Sequence, residues 1–126
     1  MKIYDSLVIG GGPAGITAVL YLVRAGALVA WAERLGPGGQ VLFTETIDNY
    51  PGFPNGVKGW ELVEKMVEHL GHYVLDRYNQ AVLDIEVNIE RHVVTLESEQ
   101  IAAKTVVICS GAIHRKLGLP NEDKLV

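Results

Sequence analysis

A run of three glycines near the amino terminus limits what this chain can fold into. It stands in the segment VIGGGPAGITAVLYL, where an apolar run leads into Gly10–Gly12 and a second apolar segment follows. The residues before the glycines predict a strand over 3–9, and the apolar spacing from Pro13 onward predicts a helix. Proline suits the first turn of a helix, where its missing N–H is not needed. The glycines therefore predict a tight turn from a strand into a helix.

The segment after this helix completes a βαβ unit. Gly26 is a plausible end of the helix, and the nearly all-apolar residues 28–32 predict a second strand with Glu33 just beyond it. Strands joined by a helix run parallel, and continuous apolar runs are typical of strands that are buried on both faces. The opening of the chain therefore predicts an α/β fold that begins with a βαβ unit and contains a parallel sheet.

The glycines Gly10, Gly12 and Gly15 fit the pattern G-x-G-x-x-G of dinucleotide-binding turns. In that pattern Gly10 permits the turn, Gly12 lets a pyrophosphate approach the backbone, and Gly15 lets the helix pack closely on the sheet. Glu33, about 20 residues further on, suits hydrogen bonds from an adenosine ribose and repels a 2′-phosphate. The pattern favours FAD or NAD over NADP and over a glycine turn without a ligand. Spacing alone does not choose between FAD and NAD.

A long loop and a second helix follow the βαβ unit. Residues 35–54 contain four glycines and three prolines without a regular period, and such a loop inside a compact domain is usually functional. Apolar spacing predicts a helix over about 57–70, with Gly71 as its C-terminal cap. Trp60 falls on the apolar stripe of that helix and is predicted to lie in the core. Trp31, in the second strand, is predicted to be a packing residue.

The second half of the chain predicts a small antiparallel β-meander and one more buried strand. Apolar residues at every second position from Leu83 to Ile89 alternate with polar ones, as in a half-exposed strand. Residues 93–96 and a short stretch near Ile101 predict its partners. Residues 105–109, TVVIC, are largely apolar and predict a buried parallel strand.

Composition and charge exclude several other classes of function. The length of 126 residues suits one domain with a single modest core. The net charge of −4 and the lack of a basic run give nucleic-acid binding no support. No apolar stretch approaches the roughly 18 residues of a membrane span, and the amino terminus lacks a signal-peptide cleavage pattern. We therefore predict a cytoplasmic protein without a membrane or nucleic-acid partner.

Three further motifs carry a resemblance to a known family. Gly38-Gly39-Gln40 follows the acid, residues 47–53 read IDNYPGF, and residues 109–120 hold a CSGA turn and then Leu-Gly-Leu-Pro. In this order they resemble the FAD-binding part of the low-molecular-weight thioredoxin reductases, over essentially the whole chain. The combination is more specific than any single motif. The resemblance implies a Rossmann-like FAD-binding fold and favours FAD over NAD.

The resemblance also implies where FAD would lie. The pyrophosphate would contact the glycine turn, Glu33 would hold the adenosine ribose, and Val82 would run near the adenine. Gln40 and Asn49 carry neutral amides, which both donate and accept hydrogen bonds and so suit a flavin edge. The implied cofactor-binding residues are Gly10, Gly12, Pro13, Ala14, Gly15, Glu33, Arg34, Gly39, Gln40, Asn49, Val82, Gly111 and Ala112. No catalytic residue or metal ligand is assigned to the chain.

The family has a second, NAD(P)H-binding domain with a redox-active CxxC, after which the FAD domain resumes. The resemblance therefore implies that residues 1–126 are the N-terminal portion of an FAD-binding domain. In the intact enzyme NAD(P)H would reduce the flavin, and electrons would pass to a disulfide and then to a thioredoxin-like protein. Cys109 is the one cysteine of this chain, and it is predicted to be a buried small hydrophobe rather than a redox group.

Other functions stay open at this point. Relatives with the same FAD domain lack the dithiol and reduce ferredoxin or flavodoxin, and a non-catalytic FAD-binding module is a third hypothesis. Without the later strand, the TVVIC strand would leave an open sheet edge, which invites pairing with another chain. We therefore expect a homodimer or weak retention of FAD. His114 and Arg115, after the CSGA turn, are candidates for contact with phosphate or for a surface position.

Overall fold

Six strands and two α-helices make up the part of the chain that the computed structural model describes, residues 1–113 and 115–124. His114 lies outside the described residues, and so does the side chain of Lys124. The elements are β1 (Ile3–Ile9), α1 (Pro13–Arg24), β2 (Val29–Ala32), a 3₁₀ helix (Gly39–Phe43), α2 (Gly59–Leu70), β3 (Asp76–Tyr78), β4 (Val82–Glu86), β5 (His92–Leu96), β6 (Gln100–Ile108) and a second 3₁₀ helix (Glu122–Lys124).

The strands form one sheet in the order β3-β2-β1-β6-β5-β4. Four neighbours, β3, β2, β1 and β6, run parallel, whereas β4, β5 and β6 form antiparallel pairs. The predicted α/β class, with a βαβ start, a parallel sheet and an antiparallel meander, is confirmed. Because β1 lies between β2 and β6, the order of the sheet reverses there, and a crevice is expected at the carboxyl end of β1.

Each face of the sheet has its own core. Ala30 and Trp31 are neighbours in β2, so their side chains point to opposite faces, and they belong to different clusters of buried residues. Trp31 packs with residues of α1 and α2, whereas Ala30 packs with strand residues that include Tyr4 and Val94. Burying one large aliphatic side chain is worth about 1.5–3 kcal/mol, so both clusters hold the central strand β1 in place.

Both helices end where the sequence predicts. Gly26, with φ of 84°, follows the last residues of α1, and Gly71 is the C-terminal cap of α2. The start of α2 is later than predicted, because Val57 is paired with Ile47 in an isolated antiparallel bridge and Gly59 is the first helical residue. This bridge ties the middle of the long loop to the residues just before α2.

The two tryptophans have different environments. Trp31 is 2% exposed, which confirms that it is a packing residue. Trp60 is 54% exposed, so the prediction that it lies in the core is wrong. The buried face of α2 includes Leu62 and Val63. Leu62 and Val63 lie three and four residues after Gly59, which is also buried, whereas Trp60 is offset from Gly59 by one position and lies at the margin of that face.

The stretch near Ile101 and the TVVIC segment are one strand, β6, and not two strands as predicted. Its first half, residues 100–103, lies between β5 and β1. Its second half, residues 105–108, pairs with β1 alone within the described ranges, so the predicted open edge is present. The predicted burial of this half is wrong, since Ile108 is 67% exposed and its two predecessors are half-buried.

The two edge strands of the sheet also depart from the prediction. β3 has the sequence DRY, which carries no apolar pattern, and it was not predicted. β4 is shorter than predicted, and its register shifts between Val82 and Asp84. This irregularity leaves Leu83 exposed, and Val87 and Ile89 lie exposed beyond the end of the strand. The predicted alternation over 83–89 is therefore wrong for most of its length.

Candidate functional site

The glycine turn at the carboxyl end of β1 is held by backbone geometry. Gly10 has φ of 116°, and a Cβ there would overlap the carbonyl oxygen of Cys109. Both polar backbone groups of Gly10 bond to β2. Its N–H donates to the carbonyl oxygen of Ala32 at 2.9 Å, and its carbonyl oxygen accepts from Nε1 of Trp31 at 2.7 Å. Only glycine fits this position, as the sequence predicted.

The other two glycines of the motif differ from each other. A Cβ on Gly15 would overlap the carbonyl oxygen of Gly10, which confirms that Gly15 lets α1 pack closely against the turn. Gly12 has an ordinary φ of −76°, and the nearest atom to a Cβ built there is the Cα of Gly39 at 4.0 Å. The protein itself therefore does not require glycine at position 12. Its predicted role, access for a pyrophosphate, stays a prediction.

The N-terminus of α1 presents bare amide groups. Gly12 is the N-cap and has no side chain, Pro13 follows, and no acidic residue lies in the first turn. Ala14 is exposed. The first amides of a helix have no partner inside the helix, and together with the helix dipole they favour an anion. This end of α1 therefore suits a phosphate group.

Glu33 lies against the same turn. Its N–H donates to the carbonyl oxygen of Tyr78 at 3.0 Å, which fixes its backbone at the carboxyl end of the sheet. Its Oε1 accepts from the N–H of Leu35 at 2.9 Å. A Cβ on Gly11 would lie 2.5 Å from Oε2 of Glu33. The motif leaves position 11 unspecified, so no role was predicted for Gly11. In the structure the Glu33 carboxylate occupies the space of a Cβ at Gly11, so a larger residue there would displace this side chain from the turn.

Residues from two other segments meet the turn. The N–H of Gly38 donates to the carbonyl oxygen of Gly11 at 2.7 Å, and a Cβ on Gly39 would lie 3.1 Å from the Cα of Gly12. The side-chain amide of Gln40 donates to the carbonyl oxygen of Ala112. The structure therefore places Gly39 against the glycine turn and Gln40, the next residue, against Ala112, while their predicted role in holding FAD stays a prediction.

The remaining predicted residues lie at other positions. Arg34 and Gly111 are exposed beside Glu33 and Ala112, respectively. Asn49 lines a hollow of about 300 Å³ formed by residues 48–54. Val82 is half-buried at the start of β4 and packs against the strand cluster, the set of buried strand residues that includes Tyr4 and Ala30. None of the hydrogen bonds or close approaches described above involves Asn49 or Val82.

Cys109 stands at the end of β6, where its N–H donates to the carbonyl oxygen of Ile9 at 2.7 Å. It is a free cysteine, and it packs against the cluster of buried residues that contains Trp31. It is half-buried and therefore less enclosed than predicted.

Within residues 1–113 and 115–124, neither helix has the length and apolar character needed to cross a membrane.

Comparison with known proteins places the chain in a family of oxidoreductases. The sequence model of the pyridine nucleotide-disulphide oxidoreductase family matches residues 4–126. The thioredoxin reductase of Bacillus subtilis (strain 168) is 40% identical over 124 residues, which cover 98% of this chain and 39% of that protein.

Two solved structures agree with this placement. The crystal structure of Lactococcus lactis thioredoxin reductase (FR conformation) matches with a TM-score of 0.90 and 37% identity, over 96% of this chain and 40% of that one. Thioredoxin reductase from Streptococcus pyogenes MGAS5005 matches with a TM-score of 0.88 and 42% identity, over 94% of this chain and 39% of that one. The chain thus spans about two fifths of the length of these relatives.

Proposed function

This chain belongs to the pyridine nucleotide-disulphide oxidoreductase family, and we propose that it is the FAD-binding part of a thioredoxin-reductase-like flavoprotein. The observation that carries the proposal is the uncapped start of α1 beside the carboxylate that ends β2. The helix N-terminus attracts the phosphates of a dinucleotide, and the carboxylate accepts hydrogen bonds from ribose hydroxyls. Glu33 is held against Gly11 in a position that suits the second role.

The residues that would hold FAD follow the order of its parts. Gly12, Pro13 and Ala14 would face the pyrophosphate. Glu33, with Arg34 beside it, would face the adenosine ribose. The tie between Gln40 and Ala112 supports the proposal that residues 39–40 and 111–112 together border the flavin side. The proposed set is Gly10, Gly12, Pro13, Ala14, Gly15, Glu33, Arg34, Gly39, Gln40, Asn49, Val82, Gly111 and Ala112.

The chemistry of the intact enzyme extends beyond this chain. FAD, when bound, supplies hydride and electron transfer, and the residues described above bind and orient it. Reduction of a disulfide needs a dithiol, and the single Cys109 does not provide one. We therefore assign the NAD(P)H site and the dithiol to the portion of the longer relatives that this chain does not span. A thioredoxin-like acceptor, use of NAD(P)H, a homodimer and a cytoplasmic location are parts of the same proposal.

The open edge of β6 bears on how the chain retains FAD. Residues 105–108 pair with β1 alone in the part of the chain that the structure describes, and they adjoin the site through Cys109. An uncovered edge favours pairing with another strand. We therefore expect the 126-residue chain either to associate through this edge or to hold FAD weakly, and a monomer that retains FAD through gel filtration contradicts this expectation.

The proposed function is tested by titrating the apo chain with FAD and following the flavin absorbance and fluorescence. Gly12→Ala is the sharpest variant, because neither φ at position 12 nor any neighbouring atom opposes a methyl group. We expect it to keep the thermal midpoint of the parent and to lower FAD affinity at least about tenfold, since the methyl would occupy the space of the pyrophosphate.

Two further variants complete the test. Glu33→Gln removes the ribose-facing charge and is expected to weaken FAD several-fold, whereas Glu64→Gln, on the exposed side of α2, is the matched control and changes nothing. Binding of NAD with no binding of FAD would favour the NAD-binding alternative. If neither nucleotide binds at any concentration, or if Gly12→Ala binds FAD like the parent, the proposed site is wrong.

A further inference from the structure

Trp31 makes a polar contact that its buried position does not predict. It lies in the middle of β2, is 2% exposed and packs with the side chains of α1 and α2. Such a position needs only an apolar side chain. The indole N–H nevertheless donates to the carbonyl oxygen of Gly10 at 2.7 Å, which is a well-formed hydrogen bond. Among the large apolar side chains, only tryptophan carries a ring N–H donor.

This hydrogen bond fixes the orientation of a peptide group at the centre of the turn. The N–H of Gly10 is already held by Ala32, so two consecutive residues of β2 hold the two polar groups of Gly10. The carbonyl group of Gly10 belongs to the same planar trans peptide as the N–H of Gly11, and the two point in opposite directions. The indole therefore also determines where the N–H of Gly11 points.

The peptide between Gly10 and Gly11 is free to adopt a different orientation when the indole N–H does not hold it. Gly10 and Gly11 have no side chains, so rotation of the peptide between them meets little steric resistance from the two residues themselves. Gly15 lies directly against the Gly10 carbonyl, and the hydrogen bond of that carbonyl to the indole is partly buried. A partly buried carbonyl without a hydrogen-bond donor raises the free energy of the folded state. Loss of the indole N–H therefore favours a different orientation of this peptide.

The indole ring is itself held from the edge of the sheet. Arg77 is paired with Trp31 between β3 and β2, and its guanidinium lies over the ring with its Cζ 4.7 Å from the ring centroid. A cation over an aromatic face is favourable, most of all over tryptophan. A continuous series of contacts therefore runs from an exposed arginine, through a buried indole, to the glycine turn.

We propose that Trp31 is a positioning residue for the dinucleotide, which acts by holding the Gly10 peptide in the orientation that binds phosphate. The proposal rests on the proposed function, since it concerns affinity for FAD. It assigns to Trp31 a role in binding in addition to packing, and it predicts that the N–H of the indole, and not its volume, carries that role.

The test compares two replacements in the 126-residue chain. Trp31→Phe removes the donor and some volume. Benzothienylalanine, incorporated at Trp31 in a Trp60→Phe background, keeps the shape of the ring and replaces N–H by sulfur. Both are expected to lower FAD affinity about tenfold, the effect of one lost buried hydrogen bond, while Trp60→Phe alone binds FAD like the parent. The amide resonances of Gly11 and Gly12 are expected to shift in both replacements, a change that lost packing alone would not centre on the turn.

Each result distinguishes the inference from the proposed function. If the parent chain does not bind FAD, the proposed function fails. If the parent binds FAD and the benzothienylalanine variant binds it equally well, the N–H has no role and the inference is overturned. It is overturned too if Trp31→Phe alone loses affinity, because the loss then comes from packing. The isosteric variant remains informative even where Trp31→Phe fails to fold.

Discussion

The two ends of β1 are joined to their neighbours in different ways. Near the amino end, the hydroxyl of Tyr4 donates to Asp76 at 2.6 Å and lies 2.5 Å from the hydroxyl of Tyr78, and Lys2 donates to the same carboxylate. At the carboxyl end, hydrogen bonds between backbone groups join β1 to β2 and to β6, and the Trp31 indole adds one bond from β2. The turn there consists of glycines that no larger residue could replace without overlap, apart from Gly12.

The two halves of β6 also differ, both in the number of strands that they pair with and in their exposure. β6 lies between two partners beside the amino end of β1 and has one partner beside the carboxyl end, within the residues that the structure describes. Ile101, in the first half, is 1% exposed, and Ile108, in the second half, is 67% exposed. The amino end therefore supplies stability, and the carboxyl end leaves backbone groups accessible to a ligand. Variants at the two ends should separate stability from FAD binding.

The largest effect is expected when the same substitution, isoleucine to alanine, is made in each half of β6. Ile101→Ala removes a fully buried side chain from the strand cluster and is expected to lower the free energy of unfolding by about 3 kcal/mol. Ile108→Ala, at an exposed position, is expected to change it by less than about 0.5 kcal/mol. Urea denaturation followed by circular dichroism measures both. Equal losses would show that the second half of β6 is buried in solution, for instance by a second copy of the chain.

Within the carboxyl end, Gly15 and Gly12 offer a second matched pair. A methyl group on Gly15 would overlap the backbone carbonyl of Gly10, which cannot move aside without distorting the turn. Gly15→Ala is expected to cost about 2 kcal/mol of stability, even after the gain in helix propensity, and to abolish FAD binding. The midpoint of urea unfolding and an FAD titration measure the two effects. A Gly15→Ala chain as stable as Gly12→Ala contradicts the close packing of α1 on the turn.

The carboxyl end is also the part of the molecule that the sequence predicted best. Glycines in a strand–turn–helix context specify a backbone conformation directly, so the βαβ unit and the roles of Gly10 and Gly15 were predictable from local pattern. The contacts of Gly39 with the turn and of Gln40 with Ala112 follow from no local pattern, because the partners are far apart in the chain. Gly11 carried no signal, since its requirement comes from the side chain of Glu33 across the turn.

β3 and the second half of β6 show what local pattern does not predict. β3 consists of three polar residues, and it is a strand because Asp76 and Tyr78 bond to side chains of the first strand while its backbone pairs with β2. The TVVIC segment has the apolar composition of a strand buried on both faces and is half-exposed here. Burial depends on neighbours that lie elsewhere in the chain or in another chain, and no window of residues contains that information.

A smaller effect is expected from the hydroxyl of Tyr4 at the amino end. The ring is fully buried, and burial raises the pKa of its phenol, so the hydroxyl stays a hydrogen-bond donor at neutral pH. Tyr4→Phe keeps the ring and removes the bridge between Asp76 and Tyr78. We expect a loss of about 1 kcal/mol in the free energy of unfolding and no change in FAD affinity. Tyr21→Phe, at an exposed position, is the control. A large loss of FAD affinity in Tyr4→Phe would contradict the separation of the two ends.

The smallest expected effect concerns the charge of Asp76 and appears only in acid. The hydrogen bond from the Lys2 ammonium, and then that from Tyr4, hold the pKa of Asp76 below its usual value. A folded-state pKa below the unfolded value of about 3.9 stabilises the protein above that value, and the gain is lost as the pH falls through the folded pKa. Because both partners are partly exposed, the gain is less than about 1 kcal/mol.

Asp76→Asn tests this pH dependence, since the amide has no charge to lose. The stability difference between parent and variant is expected to be constant above about pH 5 and to shrink below pH 4, as seen in urea midpoints measured across that range. Asp5, whose pKa the N–H of Leu28 lowers, is present in both chains and cancels in the difference. A difference that stays constant down to pH 2 would mean that the carboxylate acts through its shape alone. FAD affinity at neutral pH should be the same in both chains, because the partners of the Asp76 carboxylate, Lys2 and Tyr4, lie near the amino end of β1 and outside the proposed site.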